Sequence, residues 1–125
     1  MEGKRLRSSN FEIKSSGVYV TKQVNGGNPG MLLIYANWCG HCQRFKPTFN
    51  ELCKQLGSDF PCTSIEDSEL QDDKLKSALD FRGYPSIKFF DQTGKIISEY
   101  NGGDRSKTAL LDHICELYHH CIKYH

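Results

Sequence analysis

Apolar residues run without interruption from Met31 to Ala36. A stretch that short and without alternation predicts a central strand covered on both faces. Directly after it, Phe45, Phe49, Leu52 and Leu56 recur at spacings of four, three and four, which predicts an amphipathic helix over about Gly40 to Leu56. Pro47 inside that helix removes the bond to the carbonyl of Gln43 and is expected to kink it, and Gly57 is a suitable stop. Phe60 to Ile65 reads as a second strand, reached by a helical crossover and so parallel to the first. Leu70, Leu75, Ala78 and Leu79, set among charges between Asp67 and Asp80, predict one or two short helices. Ser86 to Phe90 and Ile96 to Tyr100, joined by the turn Asp91–Gly94, predict an antiparallel hairpin. Leu110, Leu111, Ile114, Leu117 and Tyr118 mark a last helix, capped by Asp104 or Ser106.

Upstream of the apolar run, Asn25 to Gly30 is a loop signal, and either Phe11–Ile13 or Val18–Val20 supplies a short first strand. Residues 1–9, with Lys4, Arg5 and Arg7, read as a disordered basic arm. The remainder, 10–125, is expected to be one α/β domain: a central mixed sheet of four to five strands with helices on both faces.

Composition narrows the function. A chain of 125 residues buries about two thirds of its unfolded surface and needs no disulfide to fold. A net charge of +1 provides no field toward nucleic acid or an anionic membrane. No window approaches the roughly eighteen apolar residues of a membrane span, and no apolar stretch follows the basic residues as a secretory signal requires. The expectation is therefore the cytoplasm where the chain is made, or the endoplasmic reticulum if this is an excised or processed domain.

In a reducing compartment four of the six cysteines are expected to be free thiols. Cys53, beside the apolar stripe of its helix, and Cys62, in an inner strand, read as buried hydrophobes. Cys115 and Cys121, six apart on the last helix, do not share a face and are not expected to pair. His119, His120 and His125 read as a solvated helix end.

The remaining two cysteines carry the chemistry. In Trp38-Cys39-Gly40-His41-Cys42 they stand where the buried strand meets the helix. Helical N-termini offer unpaired N–H groups and partial positive charge, which favours a thiolate at Cys39. Cys42 comes one turn later on the same face, so the pair opens and closes as a disulfide with little backbone movement. Two ligands are too few for zinc and no second CxxC exists, so no metal is expected.

These residues resemble the thioredoxin-fold family and, within it, the catalytic domains of protein disulfide isomerases, over about residues 30–118. A second segment, Arg82-Gly83-Tyr84-Pro85-Ser86-Ile87-Lys88-Phe89-Phe90, looks like the family's cis-proline strand. The resemblance implies a thioredoxin fold and a dithiol–disulfide oxidoreductase of isomerase type. Cys39 attacks and Cys42 resolves, and Pro85 packs in cis against the pair. Trp38, Gly40, Tyr84 and Gly103 border the substrate surface. It implies protein thiols and disulfides as substrates, glutathione or a partner protein for recycling, and no cofactor beyond the Cys39–Cys42 disulfide; the sequence leaves the oligomeric state open, with a monomer the favoured expectation. The alternatives are a thioredoxin-like reductase and a peptide-binding module with an idle dithiol. Family members without a signal also occur in large DNA viruses, which adds the virion or host cytosol as a location.

His41 favours the isomerase branch, because an imidazole that bonds or pairs with the Cys39 thiolate stabilises the reduced form and makes a stronger oxidant. Two departures stand against the family pattern. Leu33 occupies the position of the buried carboxylate, and no lysine lies between Lys54 and Lys74 to partner one. Proton transfer from Cys42 must then pass through water or another group, and turnover is expected to be slower. Arg105 falls near the place of the family's mobile arginine, which approaches the resolving cysteine.

Overall fold

The unbroken apolar run needs cover on both faces, and the chain builds a sheet and two flanking layers around it. The computed structural model describes residues 3–118. Its elements are β1 (Lys4–Arg5), β2 (Phe11–Lys14), β3 (Gly17–Val20), α1 (Lys22–Asn25), β4 (Gly30–Tyr35), α2 (Gly40–Leu56), β5 (Cys62–Glu66), α3 (Asp73–Leu79), β6 (Ser86–Phe90), β7 (Ile96–Glu99) and α4 (Lys107–Tyr118). The main sheet has the order β1-β5-β4-β6-β7. β4 and β1 run parallel to β5, while β6 is antiparallel to β4 and to β7.

The two-residue period of β4 splits the core. Met31, Leu33 and Tyr35 face α2 and α4, packing with Cys42, Phe45, Phe49, Leu52, Phe89, Leu110 and Ile114. Leu32 and Ile34 face the other way, onto Val18, Val20, Val24, Leu75, Leu79 and Phe90. Neighbouring Phe89 and Phe90 serve opposite layers for the same reason. At Gly30 the strand runs so close to its neighbours that a Cβ would lie 2.4 Å from the Pro61 carbonyl oxygen. Ser106 starts α4, its Oγ accepting from Ala109 N–H at 3.2 Å.

Three expectations change. First, Lys4 to Leu6 is not a disordered arm: Lys4 and Arg5 pair with Thr63 and Ser64, and Leu6 is fully buried with its N–H on the Ser64 carbonyl at 2.7 Å. An edge strand pairs through its backbone, so two charged side chains do not forbid it, and Leu6 alone supplies the anchor. Second, Phe11–Lys14 and Gly17–Val20 both form strands. They pair with each other as a separate antiparallel hairpin, which touches the main sheet through a bridge between Tyr19 and Lys95.

Third, Cys53 and Cys62 are not free thiols: they form a disulfide, with Cα atoms 5.6 Å apart. Read along the chain, each looks like a core hydrophobe. The crossover from α2 through Gly57 to β5 brings the two side chains face to face, within the range that a disulfide spans. Cys115 is likewise disulfide-bonded, so among the described residues only Cys39 and Cys42 are free. The expectations for Cys121, His119, His120 and His125 fall outside the described residues.

Candidate active site

β4 ends at Tyr35, and the chain turns so that the Cys39 N–H bonds the Ala36 carbonyl at 3.1 Å. Cys39 caps α2 from an extended backbone, and its carbonyl accepts the Gln43 N–H at 3.1 Å. The Gln43 side chain reaches back to the Asn37 carbonyl at 2.8 Å, fixing the turn to the first coil of the helix. Cys39 is thus held half-exposed at the rim while Cys42, one turn on, is only 2% exposed.

The two sulfurs lie within hydrogen-bond reach of each other and are pushed in opposite directions. The Cys42 backbone N–H does most to lower the Cys39 pKa; desolvation opposes it, and the Cys42 thiol, the His41 backbone N–H and the Arg44 charge assist. Burial pushes the Cys42 thiol up to about 11, with the Cys39 thiolate reinforcing the rise and Arg105 opposing it. The thiolate is therefore more accessible at Cys39 than at Cys42, an asymmetry suited to thiol–disulfide exchange.

Facing this pair is the Tyr84–Pro85 peptide, which is cis. Pro85 is buried, and the Tyr84 carbonyl accepts the Cys39 thiol at 3.6 Å. Trp38 is 70% exposed and stands edge-on to Tyr84, ring centroids 5.5 Å apart; Phe81 backs Tyr84 at 5.3 Å. Asp67 joins the two aromatics, accepting the Tyr84 hydroxyl and, at 3.5 Å, the Trp38 indole N–H. Burial, followed by that carboxylate, moves the Tyr84 phenol well above the ordinary range. The surface around Cys39 is thus an apolar ledge with a fixed backbone acceptor.

The expected site residues fall as follows. Cys39, Cys42, Trp38, Tyr84 and Pro85 converge. Gly40 lies in the first turn, where a Cβ would come 3.5 Å from an Arg44 nitrogen. Gly103 and Arg105 are exposed in the loop between β7 and α4, a Cβ at Gly103 meeting nothing within 4 Å. The His41 ring does not bond the Cys39 sulfur; its Nδ1 lies 2.9 Å from Nη2 of Arg44. Leu33 is 1% exposed and packs in the same cluster as Cys42, so no carboxylate stands there.

Sequence reasoning passed over three residues. Arg44 belongs to no motif or apolar stripe, and its only signal is that i and i+3 on a helix are neighbours, which sets it beside His41. Asp67 begins the segment after β5, at the end of the sheet where β4 delivers Cys39, and that placement was its only signal. Glu66 is a buried carboxylate on β5 opposite Tyr35. It accepts from the Asn37 N–H at 3.2 Å and from the Ser68 N–H and hydroxyl. Burial raises its pKa, but those hydrogen bonds outweigh it and hold the carboxyl below its ordinary value. Glu66 therefore anchors the active-site turn. Among the described residues no group of three or more His, Cys, Asp or Glu is arranged to hold a metal ion.

A five-stranded mixed sheet with a CxxC pair at a helix start and a cis-proline opposite defines the thioredoxin fold. The sequence matches the family model described as Thioredoxin over residues 17–116, and the chain belongs to that family. Protein disulfide isomerase-like 1-1 of Arabidopsis thaliana is 35% identical over 105 residues, which is 82% of this chain and 21% of that protein. Protein disulfide-isomerase 1 of Caenorhabditis elegans is 34% identical over 110 residues, 86% of this chain and 20% of the relative. The chain thus spans about a fifth of the length of these relatives. Thioredoxin f from spinach chloroplast superposes with a TM-score of 0.69 at 18% identity, covering 92% of each chain. The J-Trx1 fragment of ERdj5 gives 0.69 at 23% identity over 92% of this chain and 51% of that one. At such identities the two structures speak to the fold alone.

Proposed function

We propose that this chain is a thiol–disulfide oxidoreductase of the protein disulfide isomerase type. The observation that carries the reading is the opposed pair of thiols: Cys39 at the rim with its pKa lowered, Cys42 buried behind it and raised, both beside the Tyr84 carbonyl. The Cys39 thiolate attacks one sulfur of a substrate disulfide, forming a mixed disulfide and expelling the other sulfur as thiolate. Cys42 then loses its proton and attacks the Cys39 sulfur; the Cys39–Cys42 bond forms and the substrate leaves with both sulfurs reduced. Run backwards, the same steps oxidise a substrate dithiol. Leu33 offers no proton acceptor, so the Cys42 proton leaves through water or another group. An extended substrate lies on the Trp38–Tyr84 ledge, and glutathione or a partner protein returns the pair to its starting state.

The relatives named as protein disulfide isomerases support the isomerase reading, and the Cys53–Cys62 bond supports an oxidising setting. Disulfides persist in oxidising compartments. With Cys115 also bonded, the chain suits such a compartment better than the reducing cytosol expected from the sequence.

The test is refolding of a scrambled disulfide protein, with insulin reduction run beside it. Recovery of native protein in a glutathione buffer, lost in C39S, is the expected outcome. Insulin reduction without recovery points to a reductase, and peptide binding with neither activity points to an idle module; each overturns the isomerase reading.

A further inference from the structure

Arg44 follows His41 by one helical turn and reaches back over the start of α2. Its Nη2 lies 2.9 Å from His41 Nδ1, and its Nη1 lies over Gly40. The guanidinium thus spans the turn from the imidazole to the residue beside Cys39. A guanidinium carries donors only and keeps its charge in proteins, so Nδ1 is the acceptor in this contact. The ring hydrogen must then be on Nε2, because a second one on Nδ1 would set two cations against each other. In this contact the permanent charge is the guanidinium's.

We propose that Arg44 is the positioning residue of this site: it fixes the His41 ring in the tautomer with hydrogen on Nε2 and supplies a permanent positive charge over Gly40, at the start of the helix that Cys39 caps. The inference deepens the dithiol-exchange reading and rests on it only in taking Cys39 as the attacking group. The electrostatics agree with it: behind the Cys42 backbone N–H, the Cys42 thiol and the His41 backbone N–H, the Arg44 charge also helps to lower the Cys39 pKa. The other charged or titrating groups around the pair are Cys42 itself, Arg105, which acts on Cys42, the Tyr35 and Tyr84 phenols, which interact with Cys42, and the Glu66 and Asp67 carboxylates beside those phenols. A guanidinium keeps its charge through the range where an imidazole loses its own, so thiolate support at Cys39 is retained at neutral and alkaline pH.

The test uses the full chain with Cys39–Cys42 reduced, and two readouts. Nitrogen-15 NMR of His41 reports the ring tautomer, and iodoacetamide alkylation of Cys39 across pH, followed by mass spectrometry, reports the thiolate. The native chain is expected to show hydrogen on Nε2 and a single alkylation inflection. In R44Q the ring is expected to become a mixture of tautomers and alkylation at pH 6 to slow by about two- to fivefold, the lost thiolate fraction being partly offset by higher nucleophilicity. R44K keeps the charge without the planar fork. It should alkylate like the native chain while its ring tautomer is freed, and it carries the test if R44Q folds poorly. An unchanged alkylation profile or an unchanged tautomer in R44Q overturns the proposal, as does a native profile with a second inflection where free imidazole titrates. Neither readout needs a protein substrate, so failure of the refolding and insulin assays counts against the proposed function and leaves this inference standing.

Discussion

Helix α2 carries a cysteine at its start and another near its end, and each faces a partner sulfur at a distance a disulfide can span. At the start, Cys39 meets backbone N–H groups, the Arg44 cation and solvent, and the pair is open. Near the end, Cys53 lies in the apolar cluster with Phe49, Leu56 and Phe60, and its bond to Cys62 is closed. The helix dipole separates them further, since its positive end favours a thiolate and its negative end opposes one. Proximity is common to both pairs, so proximity does not make a pair reactive. The surroundings that stabilise or forbid the thiolate do, and the two ends become an exchange site and a strap between α2 and β5.

The largest effect should come from removing the attacking sulfur. C39S is expected to lower insulin reduction by at least about a hundredfold, because no other free thiol among the described residues reaches the surface. The double variant C53A/C62A should keep activity within about twofold. Its loss should appear instead as stability: for a nine-residue separation the chain-entropy relation gives about 2.6 kcal/mol, or about 10 °C in Tm. Thermal unfolding with thiol counting checks this. Dilute dithiothreitol should open Cys39–Cys42 before Cys53–Cys62, and simultaneous opening of the two pairs would break the contrast.

The two ends were not equally legible. The exchange site could be read because its signals are local: an apolar strand, a CxxC at the next helix start, and an X-Pro at a second strand, where the Tyr84–Pro85 peptide is indeed cis. The strap could not, because Cys53 and Cys62 meet only through the crossover geometry, and each alone looks like a core residue. The same limit hid β1, where pairing through backbone carries no apolar pattern, and Arg44, whose role depends on a side chain folding back over Gly40. The sheet and α2 followed from hydrophobic periodicity, β4 being buried at every position.

A pH experiment sharpens the asymmetry inside the exchange site. With its pKa raised to about 11, Cys42 is a thiol at neutral pH, and its thiolate fraction grows about tenfold per pH unit below that value. Resolution of a mixed disulfide on Cys39 should therefore accelerate steadily from pH 7 to 9. The plateau should come below 11, because the Cys39 charge that reinforces the rise is absent in the mixed disulfide. R105Q removes a charge that opposes the rise, so resolution should slow by about two- to threefold at pH 8 with Cys39 alkylation unchanged. Stopped-flow decay of a glutathione mixed disulfide measures both. A pH-independent decay would mean that a protein group beside Cys42 takes its proton.

The smallest expected effect concerns the ledge. Asp67 accepts from both Tyr84 and Trp38, so its two oxygens hold two aromatics in one arrangement. D67N keeps one acceptor and loses the other along with the charge. The bond to the half-buried Tyr84 should survive, and Trp38, 70% exposed, should lose its tether. Losing one weak hydrogen bond of about 0.5 kcal/mol raises KM for a peptide disulfide by about two- to threefold. D67A loses both bonds and should raise it further. Turnover of a small disulfide that does not span the ledge should be unchanged in either variant, as should the reducibility of Cys53–Cys62 at the far end of the helix. If the small disulfide slowed as much as the peptide, Asp67 would be acting on the sulfurs themselves, and Trp38 and Tyr84 would no longer be separable from the chemistry they border.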